Sequence, residues 1–142
     1  MRRRKKKSRS EMMRAVRSKN TKPELLVRRA LFRKGLRYRL QRRDLPGTPD
    51  IFVLRYGVVV FVNGCFWHQH GCSFARRPKS RPDFWNGKLD GNMARDIRTL
   101  RELSLKGFRV AVVWECSLKK NPEGSLERLW NFIVGDEEFV EI

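Results

Sequence analysis

Acidic side chains are scarce in this 142-residue chain. Only 15 Asp plus Glu stand against 33 Lys plus Arg, for a formal net charge of +18. Long apolar runs are missing too. None approaches the ~20 residues that span a bilayer, and no apolar stretch follows the basic start, which excludes a secretory signal and a membrane-spanning helix. Cysteine and histidine are rare, at three and two residues. Three thiols do not make a disulfide framework, and in the reducing cytoplasm expected here they point to a metal or to catalysis.

What is present is a globular composition with a polyanion's complement. Hydrophobic residues make up 40% of the chain, enough for a real core at this length. Residues 1–9 carry seven basic side chains, and removing them from +18 still leaves +11 on the rest. The body is therefore basic as well as the tail. Self-repulsion of that size calls for a polyanionic partner, and nucleic acid is expected, with binding driven by phosphate neutralisation. A ribosomal-type charge, or a membrane surface met by the tail, would also account for it.

Residues 1–10 form a basic, disordered tail by composition, and 11–142 a single domain. A short helix is expected over 11–19. Thr21 and Glu24 form a capping box ahead of Pro23, with Leu25, Leu26, Ala30 and Leu31 at helical spacing and Gly35 as the stop. Residues 36–40 alternate as a first strand. Residues 50–54 and 58–62 form a hairpin about Tyr56, residues 86–106 a long helix, 109–114 a strand and 126–134 a last helix. The run VVVFV (58–62) is apolar on both faces, as a central strand should be. Strand, long helix and strand from 58 to 114 fit a parallel crossover in a mixed α/β sheet flanked by helices.

That topology brings chemistry together. Cys65 follows one parallel strand and Cys116 the next, so they should be neighbours despite lying fifty residues apart. A hairpin centred on Tyr56 sets Asp50 across from Val62 and adds it to the same edge, beside Asn63 and the 65–72 loop. Active sites of open α/β sheets gather at the C-terminal ends of strands. The loop GCFWHQHGC (64–72) with Cys116 offers three thiols and two imidazoles. Cys65, His70, Cys72 and Cys116 satisfy a closed tetrahedral zinc site and leave His68 over. The alternatives are buried apolar thiols, a catalytic zinc with three ligands, or His68 as a ligand.

The segments LPGTPD (45–50), VVVFVNGCFWHQHGC (58–72), FWNGKLDGNMARD (84–96) and VVWEC (112–116) resemble the very short patch repair (Vsr) mismatch endonucleases. The resemblance spans most of the globular part. It implies a restriction-endonuclease-like fold and a magnesium-dependent nick beside thymine in a T·G mismatch. It makes Cys65, His70, Cys72 and Cys116 structural zinc ligands. Asp50 and the backbone carbonyl of Val62 become magnesium ligands, with His68, Asp96, Glu24 and Asn92 as further active-site groups. Phe66, Trp67 and Met13 become wedges into the base stack. Asn63 stands where the family pattern has a second histidine, so it can donate a hydrogen bond but cannot carry a proton.

Each assignment has a plainer competitor: a turn cap for Asp50, a solvated helix face for Asp96, the capping box for Glu24, packing round the loop for Phe66 and Trp67. Arg76, Arg77, Lys79 and Arg81 are expected along the phosphate backbone. A nicking nuclease indifferent to mismatches, or a zinc-stabilised DNA-binding module without catalysis, are the rival functions. One site nicks one strand, so a monomer is expected, located at the nucleoid. The family adds the expectation of a mismatch-repair protein partner.

Overall fold

A computed structural model describes residues 6, 8–14 and 19–142. The expectations for the rest of the tail, for 15–18 and for the Met13 side chain fall outside the described residues. Ten regular elements follow in order: α1 (Arg9–Arg14), α2 (Lys22–Arg33), β1 (Arg39–Leu40), β2 (Ile51–Val53), β3 (Val58–Asn63), α3 (Pro82–Leu105), β4 (Arg109–Trp114), α4 (Glu115–Lys120), α5 (Pro122–Val134) and β5 (Phe139–Glu141). The strands form one sheet in the order β1-β2-β3-β4-β5. β1, β2 and β3 run antiparallel, and β3, β4 and β5 run parallel. The mixed α/β sheet flanked by helices is the architecture expected.

Side chains alternate across the central strands, so each strand feeds two cores. Val58, Val60 and Val62 of β3, with Ala111 and Val113 of β4, pack against Val27 and Leu31 of α2 and Leu129, Phe132 and Ile133 of α5. Val59, Val110, Val112 and Trp114 face the other way, toward Leu103 of α3. Burial on both faces is why VVVFV carries no polar alternation.

The elements depart from expectation at their ends. The hairpin turns through a short 3₁₀ segment, Leu54–Tyr56, closed by Gly57 at φ 63°. That left-handed position suits glycine. It shifts the register by one, pairing Ile51 with Val60 where a turn centred on Tyr56 would have paired it with Phe61. β1 shrinks to two exposed residues. α3 starts four residues early because Pro82 can occupy the first helical turn. α5 likewise starts at Pro122, where the Asn121 side chain accepts from the Gly124 N–H at 3.0 Å. In α2, Val27 and Leu31 are buried and Leu26 is exposed. α4 and β5 carry no strong pattern and were not expected. Among the described residues no helix is long and apolar enough to cross a membrane.

Candidate metal and catalytic centre

The C-terminal ends of β3 and β4 lie side by side, with Asn63 paired to Trp114. Everything of chemical interest hangs from that edge. The chain leaves β3, turns tightly through a His68 N–H to Gly64 carbonyl bond of 3.2 Å, and brings His70 back to the Cys65 carbonyl at 3.0 Å. Cys116 enters from the first turn of α4, and the adjacent Glu115 carboxylate accepts the Cys65 N–H at 3.1 Å.

Cys65, His70, Cys72 and Cys116 thereby converge, with their ligand atoms all within 4.8 Å of one another. His70 Nδ1 lies 3.3 Å from Cys116 Sγ and 3.8 Å from Cys65 Sγ. Zinc bonds of roughly 2.3 Å to sulfur and 2.0 Å to nitrogen place tetrahedral ligands about 3.3–3.8 Å apart, so the set fits a zinc-sized ion with little adjustment. All three cysteines are free thiols. Burial pushes the Cys65 thiol well above the ordinary range, and the neighbouring thiols add to this. For Cys72, burial also pushes upward, but backbone and thiol hydrogen bonds outweigh it and bring the group down. Thiols crowded this way suit a cation that replaces their protons. The His70 ring stacks on Trp114 at 4.2 Å and 11°, which fixes the imidazole's plane. The four residues that sequence spacing grouped do meet, and His68 stands apart from them.

His68 instead turns to the long helix. Its Nδ1 lies 2.6 Å from Asp96 Oδ2. A carboxylate on Nδ1 sets the ring's tautomer and leaves Nε2 as the nitrogen that can exchange a proton with another group. One turn earlier on α3, the Asn92 amide donates to the Trp67 carbonyl at 3.1 Å. His68, Asp96 and Asn63 line a cavity of about 190 Å³ together with Met93 and Ile97. Met93 and Ile97 share the helical spacing of Leu89 and Leu103, yet are 39% and 62% exposed and line this cavity over the sheet.

Asp50 reaches the same edge from the start of β2. Its Oδ2 accepts the Val62 N–H at 2.7 Å, so the side chain meets Val62 even though the backbone register is shifted. Burial raises this carboxyl to about 6, the Val62 N–H works against the rise, nearby Glu24 adds to it, and Gln41 and His68 oppose it. Ionised Asp50 in this setting carries a cost that a bound cation offsets. Glu24 is 2% exposed. The expected capping box is offset by one: Thr21 Oγ1 accepts the Glu24 N–H at 3.4 Å, but the Glu24 carboxylate accepts from the Asn20 N–H at 2.9 Å. Arg28 at 3.2 Å and Gln41 at 3.5 Å complete its surroundings. Gln41 is a site residue that sequence reasoning passed over. Its only signal was its place one step past β1, opposite Asp50.

The aromatics form a cluster. Consecutive side chains do not easily enter one core, yet the Phe66 and Trp67 rings both pack on Trp85, with centroids 5.5 and 5.8 Å away. The tight 64–68 turn puts consecutive side chains on one side. Trp85, also passed over, is 1% exposed and donates its indole N–H to Ser10 of α1 at 2.8 Å. Arg76, Lys79 and Arg81 are exposed, whereas Arg77 is drawn into hydrogen bonds with Gln69, Asn86 and Asp90.

A family model described as DNA mismatch endonuclease Vsr matches residues 2–74. The type II nicking enzyme V.XorIIP of Xanthomonas oryzae is 52% identical over 86% of this chain and 89% of its own length. The type II nicking enzyme V.NmeAIP of Neisseria meningitidis is 50% identical over 78% and 79%. The DNA mismatch endonuclease Vsr of Escherichia coli is 39% identical over 95% and 89%. The family model spans half of the chain and the relatives most of it, and the chain belongs to the Vsr family of DNA mismatch endonucleases.

Proposed function

We propose that this endonuclease nicks one strand of duplex DNA beside the thymine of a T·G mismatch, with magnesium as its catalytic ion and zinc as a structural one. The observation that carries the reading is the His68–Asp96 pair, 2.6 Å apart, on the sheet edge that also holds a buried carboxylate. Phosphodiester hydrolysis needs a water made nucleophilic, charge neutralised at phosphorus and help for the leaving oxygen. Magnesium held by Asp50 and the Val62 carbonyl would supply charge neutralisation and water activation.

The chain's own groups do the rest. His68 moves a proton at Nε2, to the leaving oxygen or from the attacking water. Asp96 holds the ring and stabilises its protonated form. Asn63 donates a hydrogen bond to a phosphate oxygen and takes no part in proton transfer. Glu24 orders water near Asp50, and Asn92 fixes the backbone beside His68. Cys65, His70, Cys72 and Cys116 hold zinc and fasten the loop that carries His68. Phe66 and Trp67, with Met13 from the other side, enter the base stack, which costs least at a mismatch. Exposed Arg76, Lys79 and Arg81 contact the backbone of the duplex. Residues 11–142 act as one unit with the tail as an added polyanion contact. One site for one strand suits a monomer at the nucleoid, working beside a mismatch-repair protein.

Labelled duplexes with one T·G mismatch or the matched T·A pair test this, in magnesium or EDTA, with Asp50→Ala beside the parent. Selective nicking at the mismatched thymine, lost in EDTA and in Asp50→Ala, is the expected result. Equal cutting of both duplexes would leave a nicking nuclease without mismatch choice. Tight binding with no cut at any enzyme concentration would leave a binding module, the reading that Asn63 favours.

A further inference from the structure

Arg77 lies in a basic stretch, between Arg76 and Lys79, where position suggests another phosphate contact. Its guanidinium has other company. Nε donates to Gln69 Oε1 at 2.9 Å, one terminal nitrogen to Asn86 Oδ1 at 2.8 Å and the other to Asp90 Oδ1 at 2.7 Å. Gln69 is itself a staple. Its amide nitrogen donates to the carbonyls of Phe66 at 2.7 Å and Ala75 at 3.1 Å, joining the two ends of the metal-binding loop. Its backbone sits at φ 50°, a left-handed position that non-glycine residues seldom adopt.

These bonds continue along α3. Asn86 and Asp90 hold Arg77, Asn92 holds the Trp67 carbonyl and Asp96 holds His68. The loop is thus fastened to α3 by four side chains spread over almost three turns. Asp90 is largely exposed, so the ion pair alone contributes little. The weight lies in geometry: a planar fork whose three nitrogens all donate to side chains of the loop and α3 is committed in direction. Turning it out toward a phosphate would break its bond to Gln69 Oε1 and leave the amide that ties the loop ends without its brace to α3.

We infer that Arg77 is a positioning residue and not a phosphate contact. With Gln69 it holds the 66–75 loop against α3, so that His68 and Trp67 stand in their working places. The inference rests on the proposed nuclease reading for what those two residues do.

The zinc-loaded full chain is compared with Arg77→Ala, Arg77→Lys and Arg76→Ala. Three quantities are measured on T·G and matched duplexes: the saturated single-turnover nicking rate, the dissociation constant against salt, and backbone amide exchange in residues 66–75, with β3 and β4 as the check that the fold is intact. A positioning role lowers the saturated rate on the order of tenfold in both Arg77 variants, since small misplacements are costly in catalysis. It speeds exchange across 66–75 and leaves the salt slope unchanged, while Arg76→Ala lowers the slope by about 0.9, one phosphate contact. Lysine keeps the charge but not the fork, so it does not rescue. Parental rate and exchange in Arg77→Lys, or a salt slope lowered by Arg77→Ala at unchanged saturated rate and exchange, would overturn the inference. Exchange and salt slope require no cleavage. A parent that fails to nick T·G duplexes therefore defeats the proposed function while the brace is still judged by these two.

Discussion

At the scale of single residues, Asp50 shows how a site works against its own fold. Its carboxyl is raised to about 6, chiefly by burial, against an unfolded value near 3.8. Ionisation therefore destabilises the native state, an effect absent at pH 3.8, growing up to pH 6 and full above it. Asp50→Asn in magnesium-free buffer is expected to raise stability at pH 8 by up to about 3 kcal/mol, the size of a two-unit shift. The gain should vanish as pH falls toward 4, and activity should be lost. Denaturant melts at the two pH values, with nicking assays alongside, check this. For His68, Asp96 on Nδ1 fixes which nitrogen works. His68→Ala should lower the saturated nicking rate by about 10²–10⁴, the range for losing a general acid or base. Asp96→Asn should cost about 10–100-fold, as loss of an orienting partner does. Equal losses in the two would mean that Asp96 does more than orient. Both residues were nameable from sequence because their motifs are distinctive. Gln41 and Trp85 were not, since each matters only through a contact across the fold.

At the scale of elements, the 64–75 loop is the decisive piece. It is irregular, carries His68 and Trp67, and has its thiols drawn to Cys116 from another element. If the cluster holds the proposed zinc, Cys116→Ser is expected to bind less than the one ion per chain the site would take, and to lower the melting temperature on the order of 10 °C, a loss of a few kcal/mol for a domain of this size. Metal analysis and thermal melts decide it; an unchanged zinc content would remove Cys116 from the ligand set. The long helix is the loop's counterpart. Apolar spacing in α3 located its axis correctly but overstated its buried stripe. Ile97 and Met93 keep the period of Leu89 and Leu103, yet they line an open cavity against the sheet and are not fully covered. Periodicity reports which side a residue takes, not whether a neighbour is there to bury it.

At the scale of the whole molecule, the excess of +18 and the single active edge belong together. A DNA endonuclease with this balance should bind with a steep salt dependence, about 0.9 logarithmic units for each phosphate neutralised. Removing residues 1–7, which carry six basic side chains and stop short of α1, should flatten that slope and weaken binding uniformly, without altering the choice between T·G and T·A duplexes. Filter binding across a salt series checks it. A lost mismatch preference would give the tail a reading role rather than an electrostatic one.

The sequence by itself determined the fold class, the parallel pairing that makes Cys65 and Cys116 neighbours, and the four residues able to hold a metal. Those follow from local signals: apolar runs, strand-helix-strand order, and rare side chains placed just past strand ends. The hairpin register, the shared packing of Phe66 and Trp67 on Trp85, and the bonds of Arg77 to Gln69, Asn86 and Asp90 emerge from packing across the fold. A register depends on the exact turn, set here by Gly57 in the left-handed region. The company a long polar or aromatic side chain keeps depends on elements far away in sequence, which spacing along one segment cannot report.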